Sequence, residues 1–79
     1  MRKQKLKPSV QGATRGGYHA EVVEIDPGNF PDIYIGTIVA RAGVRNVAWN
    51  DVGICRDNSD EANLTKEMRE QLEARIDPN

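Results

Sequence analysis

Asp32-Ile-Tyr-Ile-Gly-Thr-Ile-Val-Ala-Arg41-Ala-Gly-Val-Arg-Asn-Val-Ala-Trp-Asn50-Asp-Val-Gly-Ile-Cys-Arg56 is the stretch whose reading decides the fold. It holds most of the β-branched residues of the chain and its single Trp, Trp49. Two turn signals, Ala42-Gly43-Val44-Arg45-Asn46 and Asn50-Asp51-Val52-Gly53, divide it into three short runs. Strand, turn, strand, turn, strand is the pattern of an antiparallel meander. In the second turn the Asn and Asp side chains bond local backbone, and Gly53 takes a positive φ without a Cβ clash.

The first run is the strongest strand. Ile33, Ile35, Thr37 and Val39 lie on one face, with Tyr34, Gly36, Ile38 and Ala40 on the other. Two largely apolar faces predict a central strand covered on both sides. Gly36 leaves a gap where a neighbouring side chain such as Trp49 lies against the backbone. The next run, about Arg45 to Asn50, sets Val47 and Trp49 against polar Asn46 and Asn50, and Ile54 to Arg56 predicts a short fourth strand at the edge.

Upstream, Tyr18 to Asp26 reads as the first strand. Ala20 and Val22 share one face, Val23 and Ile25 the other, so the phase changes at Val22-Val23 through a bulge or partial cover on both sides. Pro27-Gly28-Asn29-Phe30-Pro31 breaks the strand, and Phe30 between these breakers is expected to fold back onto the core edge. Residues 1–17 lack periodicity, contain Pro8 and end Gly-rich, which reads as a flexible basic tail ahead of a single domain over 18–79.

Downstream, Asp57-Asn58-Ser59-Asp60-Glu61 is polar and turn-like. Leu64, Met68, Leu72 and Ile76 then fall at i, i+4, i+8 and i+12, one narrow stripe of a helix from about Leu64 to Ile76. Thr65 or Asn63 can cap its start, and Pro78 stands where it must stop. Lys66/Glu70 and Arg69/Glu73 pair at i, i+4 on its exposed side. The stripe packs on a face of the sheet, although such a stripe also serves helix-mediated dimers. The expected fold is α+β: a three- to four-stranded antiparallel meander, one C-terminal helix packed on it, and a disordered basic N-terminal tail.

Size and charge bound the function. At 79 residues there is room for one modest core. A chain this small hides only about 60% of the surface its unfolded form exposes, and a homodimer would supply further burial. No apolar run approaches the ~20 residues that span a bilayer, so no membrane role is expected. The basic start has no apolar segment after it and is not a secretory signal. Cys55 is the single cysteine, which leaves no internal disulfide and too few ligands for a tetrahedral zinc site. A reducing, cytoplasmic setting fits. The net charge of −1 hides an asymmetry: residues 1–15 carry five basic groups, Arg2, Lys3, Lys5, Lys7 and Arg15, and no acid. The remaining six basic groups face all twelve acids, a balance of −6.

No catalytic, metal or cofactor set can be named. His19 lacks a partner carboxylate and nucleophile in any diagnostic spacing and reads as an edge-strand surface residue. Cys55 has only Arg56 beside it to lower its pKa. Asp51 to Glu61 is acid-rich but lacks the ligand alternation and sixth-position Gly of a calcium loop. Gly12, Gly16 and Gly17 match no phosphate loop, and the sequon Asn63-Leu64-Thr65 means nothing without secretion. Tyr34 and Trp49 either build the core or stand on an open sheet face, where aromatics would make a protein-binding patch with the acids Asp51, Asp57, Asp60 and Glu61.

A strand of the form Pro-x-Ile-x-Ile-Gly-x-Ile-Val, then Val-x-Trp-Asn-x-x-Gly and Asp-Asn…Asn-Leu, resembles small proteins of tailed phages and prophages that have no assigned activity. The residues that carry the likeness lie between Tyr18 and Leu64: Pro31, Ile33, Ile35, Gly36, Ile38, Val39, Val47, Trp49, Asn50, Gly53, Asp57, Asn58, Asn63 and Leu64. The resemblance implies a mobile-element accessory protein of the size that blocks host enzymes or defence complexes by binding. The leading expectation is therefore a non-enzymatic protein that binds, and inhibits, a host or phage protein. The alternative is a nucleic-acid-binding module, with Arg2, Lys3, Lys5, Lys7 and Arg15 on phosphates.

Overall fold

The computed structural model describes residues 3–57 and 60–76. The chain runs β1 (Gln4–Ala13), β2 (His19–Ile25), a 3-10 turn (Pro27–Asn29), β3 (Tyr34–Ala40), β4 (Gly43–Trp49), a second 3-10 turn (Asp60–Ala62) and α1 (Lys66–Arg75). The strands form one antiparallel sheet in the order β1-β2-β3-β4, with α1 across one face. The α+β meander with a C-terminal helix is as expected, and β3 is indeed an interior strand.

The basic tail is the main correction. From Gln4 the supposed tail is an edge strand, and it feeds the core: Leu6 and Val10 are buried. Pro8 does not prevent this, because an edge strand has one side where a missing N–H costs no ladder bond. The strand is broken there all the same. Lys5 pairs with Glu24 and Val10 with Val22, so Leu6 to Ser9 face only Val23 on β2. Arg2 lies outside the described residues, as do Asn58, Ser59 and Pro78.

A second irregularity settles the phase change in β2. The register with β3 shifts between Val22 and Glu24, which returns Ile25 to the face of Ala20 and Val22 and leaves Val23 outside. Gly36 sits opposite Val22 at this bulge, and a Cβ there would land on the Glu21 carbonyl oxygen. The gap is thus filled by the β2 backbone rather than by Trp49, which pairs with Tyr34 on the other side of β3.

The turns differ in detail. Ala40 pairs with Gly43, so the β3–β4 hairpin turns in two residues, Arg41 and Ala42, and Val44 to Asn46 belong to β4. Gly43, at φ +113°, supplies the left-handed backbone. The second turn is as expected for Asn50 and Gly53 but not for Asp51: the Asn50 side-chain oxygen accepts from the N–H groups of Val52 and Ile54, and Gly53 has φ +85°, whereas the Asp51 carboxylate bonds no backbone among the described residues. After it, Cys55 makes a single bridge to Trp49 instead of a strand. The chain then crosses the covered face and reaches β1, where Leu64 bridges Thr14.

Two side chains pin that crossing. The Trp49 indole donates to the Ala62 carbonyl at 2.7 Å, and the buried Asn63 side chain accepts from the Cys55 N–H at 2.8 Å. Thr65 caps α1 by accepting from the Met68 N–H, and Leu64, Met68 and Leu72 are buried as the stripe requires. Ile76, the last member of the stripe, stays partly exposed because the helix ends at Arg75. Phe30 does not fold back: it is 70% exposed.

Candidate interaction surface

The helix covers one face of the sheet and leaves the other open. Ala20, Val22, Ile25, Tyr34, Ile38 and Trp49 are buried on the covered face with Met68 and Leu72. Tyr34 is 1% exposed and Trp49 0%, so the aromatic pair builds the core and cannot present a contact patch. The physical reason is size: these are the largest fully buried side chains, in a domain with few other bulky residues. Burial also raises the pKa of the Tyr34 hydroxyl, with the Glu73 and Asp51 charges adding to the effect.

The expected acidic residues do not converge. Asp51 is exposed in the turn after β4. Asp57 pairs with Arg45 at 2.8 Å, beside the edge of β4. Asp60 and Glu61 are exposed near the β1–β2 turn, where the Gly16 N–H donates to the Glu61 carbonyl. The Glu61 carboxylate accepts from the Tyr18 hydroxyl at 3.0 Å, and this bond, with the carboxylate's charge, raises the Tyr18 pKa.

The basic residues do not form a free arm either. Lys5 is paired in register with Glu24, and the Lys3 ammonium lies 3.9 Å from Asp26. Lys7 is exposed in the irregular part of β1, and Arg15 is in the turn at its far end. His19 is exposed, as a surface histidine should be, but on the interior strand β2. The Cys55 thiol is buried and its pKa is pushed up by that burial, which makes it a poor nucleophile. Among the described residues no group of three or more His, Cys, Asp or Glu could hold a metal ion.

What sequence reasoning missed is the uncovered side of the sheet. The registers align three rows of residues across all four strands. Ala13, His19, Val39 and Val44 form one, Gln11, Glu21, Thr37 and Asn46 the next, and Lys5, Glu24, Ile35 and Ala48 the third. The middle row is polar, and the Ser9 hydroxyl donates to Glu21 at 2.6 Å on it. Val39 is 46% exposed and Val44 67%, side by side at the hairpin end. At the margin of this face, Arg45, Ala48, Cys55, Arg56 and Asp57 line a groove of about 860 Å³. The signal was present in β3, whose second apolar face was assigned a cover that no element among the described residues provides.

No family model, curated protein or solved structure matches the chain. No helix among the described residues is long and apolar enough to cross a membrane.

Proposed function

We propose that this chain is a non-enzymatic binding module that acts by protein–protein contact through the open sheet face and the β4 margin. The observation that carries the reading is the exposed pair Val39 and Val44, set beside a polar row on a four-stranded surface. Apolar side chains next to hydrogen-bonding ones on a rigid face suit a protein partner. The contact moves from the Tyr34/Trp49 pair to this surface. The setting, a phage-type accessory protein that occupies a host or defence complex in the cytoplasm, rests on the resemblance in strands and turns alone.

The nucleic-acid alternative loses support from the folding of β1. Lys5 sits opposite Glu24 and Lys3 beside Asp26, so fewer positive charges are available to displace counterions from phosphates, although Lys7 and Arg15 stay exposed. The test is capture from lysate by three tagged proteins: the natural chain, Val39→Asp/Val44→Asp, and Lys3→Glu/Lys5→Glu/Lys7→Glu. A discrete protein held by the first and third but released by the second is the expected outcome. Nucleic acid held by the first and second alone would favour the alternative, and nothing held by any would refute both.

A further inference from the structure

The two edges of the sheet differ in how they are finished, and the difference falls on β4. Antiparallel strands alternate main-chain groups that point to either neighbour. The Arg56 N–H donates to the Ala48 carbonyl, and the Asn50 N–H donates to the Ile54 carbonyl, both on the side of β4 away from β3. The outward groups of β4 are therefore those of its even-numbered residues. Moving back along the strand, the main-chain N–H and C=O groups of Asn46 and Val44 point the same way. Among the described residues neither has a partner on that side. The segment Ile54 to Arg56 thus acts as a short stub of a fifth strand that leaves the edge at Asp57, where the groove begins.

The uncovered length from Gly43 to Val47 matches about five residues of added strand, roughly 17 Å at 3.3 Å per residue. Natural edges of this kind are normally guarded by proline, charged side chains or a bulge. The run Gly43-Val44-Arg45-Asn46-Val47 has no proline and no bulge, and the charge of its one ionic residue, Arg45, is met by Asp57 at 2.8 Å.

Charge selects the occupant. Arg41 and Arg56 flank the open length and Arg45 lies within it; among the described residues Arg45 is in an ion pair with Asp57, whereas Arg41 and Arg56 are in none. A second copy of β4 is a poor fit. Two β4 edges related by a two-fold axis at Arg45 would set the two Arg45 residues directly opposite each other, and like charges so placed are destabilising. Shifted toward the Trp49 end, the copy would collide with Ile54 to Arg56. Shifted toward the hairpin, it would crowd the Arg41 and Arg45 groups of both copies. We infer that the β4 edge binds an extended, acidic peptide segment by strand addition, its main chain pairing with Val44 and Asn46 and its carboxylates meeting Arg41 and Arg56.

The inference rests on the binding-module reading above, and its test is separate from lysate capture. The probe is the capped hexapeptide Glu-Val-Glu-Val-Glu-Val, titrated into the full ¹⁵N-labelled chain and followed by amide shifts. Three controls run beside it: the Lys-Val counterpart, the Glu-Val peptide N-methylated at alternate residues, and the Arg41→Glu/Arg56→Glu protein. The expected result is shifts confined to Gly43 to Ala48 and Arg56, lost with the N-methylated peptide, and at least tenfold weaker with either charge reversal. Shifts centred on β1, equal affinity for the Lys-Val peptide, or no shift at millimolar peptide would each overturn the inference. If the peptide fails while lysate capture still depends on Val39 and Val44, the binding module stands and only the edge is wrong.

Discussion

The two edges of this sheet, β1 and β4, are built on opposite principles. β1 carries two lysines, Lys5 and Lys7, and is interrupted by Pro8, yet the helix and the C-terminal crossing fasten it at both ends. The Gln4 side chain donates to the Arg75 carbonyl at 2.6 Å, while at the other end Leu64 bridges Thr14 and the Arg15 N–H donates to the Asn63 carbonyl. β4 has one charge, Arg45, and regular pairing with β3, yet from Gly43 to Val47 no main-chain bond among the described residues fastens its outer side, where only the Arg45–Asp57 ion pair reaches across. Polarity in the sequence is therefore a poor guide to what is held and what is free. What matters is whether a strand's inward residues are buried. β1 puts Leu6 and Val10 into the core, whereas the hairpin end of β4 buries nothing until Ala48 and Trp49.

The largest expected effect comes from removing β1. A chain lacking residues 1–13 should show no cooperative thermal transition by circular dichroism, because Met68 and Leu72 lose the strand they cover. A cooperative melt in that variant would return residues 1–13 to the status of a tail. Next comes Leu6→Ala, expected to cost about 2–5 kcal/mol in urea unfolding, as for other buried Leu truncations. A loss below about 0.5 kcal/mol would mean that the β1 edge contributes no core.

The buried hydroxyl and thiol make a pH prediction. Tyr34 and Cys55 both have folded pKa values above their ordinary 10.0 and 9.0, chiefly through burial. Raised values mean that the protonated forms are favoured by the fold. Their contribution is complete below about pH 9 and is lost as pH rises through the folded values. The melting temperature should fall above pH 9, and less steeply in Tyr34→Phe. An identical slope in that variant would exclude Tyr34 as a source.

On the β4 side the effects are smaller. A double-mutant cycle on Arg45 and Asp57 should give about 0.2–1 kcal/mol, shrinking with added salt, because both partners are about half exposed. Val44→Ala should change stability by no more than about 0.5 kcal/mol. A cost of 2 kcal/mol or more at Val44 would show that the β4 edge is covered in solution and would erase the contrast with β1.

Much of this architecture was legible in the chain itself. Period-two alternation in Asp32 to Arg41 locates β3, the Asn50 to Gly53 turn has the side chains that close it, and the Leu64/Met68/Leu72 spacing with Thr65 locates α1 and its cap. The phase change at Val22-Val23 announces the β2 bulge. Each of these is a local signal, set by backbone dihedrals, turn chemistry or side-chain period. β1 was illegible for a physical reason. Its buried residues Leu6 and Val10 are separated by exposed Pro8 at a register shift, so no unbroken period shows among the lysines and small residues, and only docking against β2 and α1 gives the buried pair value. The candidate surface was hidden in the same way. Side chains at residues 13, 19, 39 and 44 become one row only when registers are set, and registers depend on bulges in β1 and β2 that span distant parts of the chain.

The amino-acid sequence by itself determined the element types, the meander order and the helix stripe, because these follow from interactions within a few residues. Only the tertiary structure decided which sheet face is covered, that Tyr34 and Trp49 are core, that the basic start is a strand, and that β4 keeps an open edge. Those outcomes depend on where one helix and one crossing segment come to rest, and a single helix can cover only one side of a sheet.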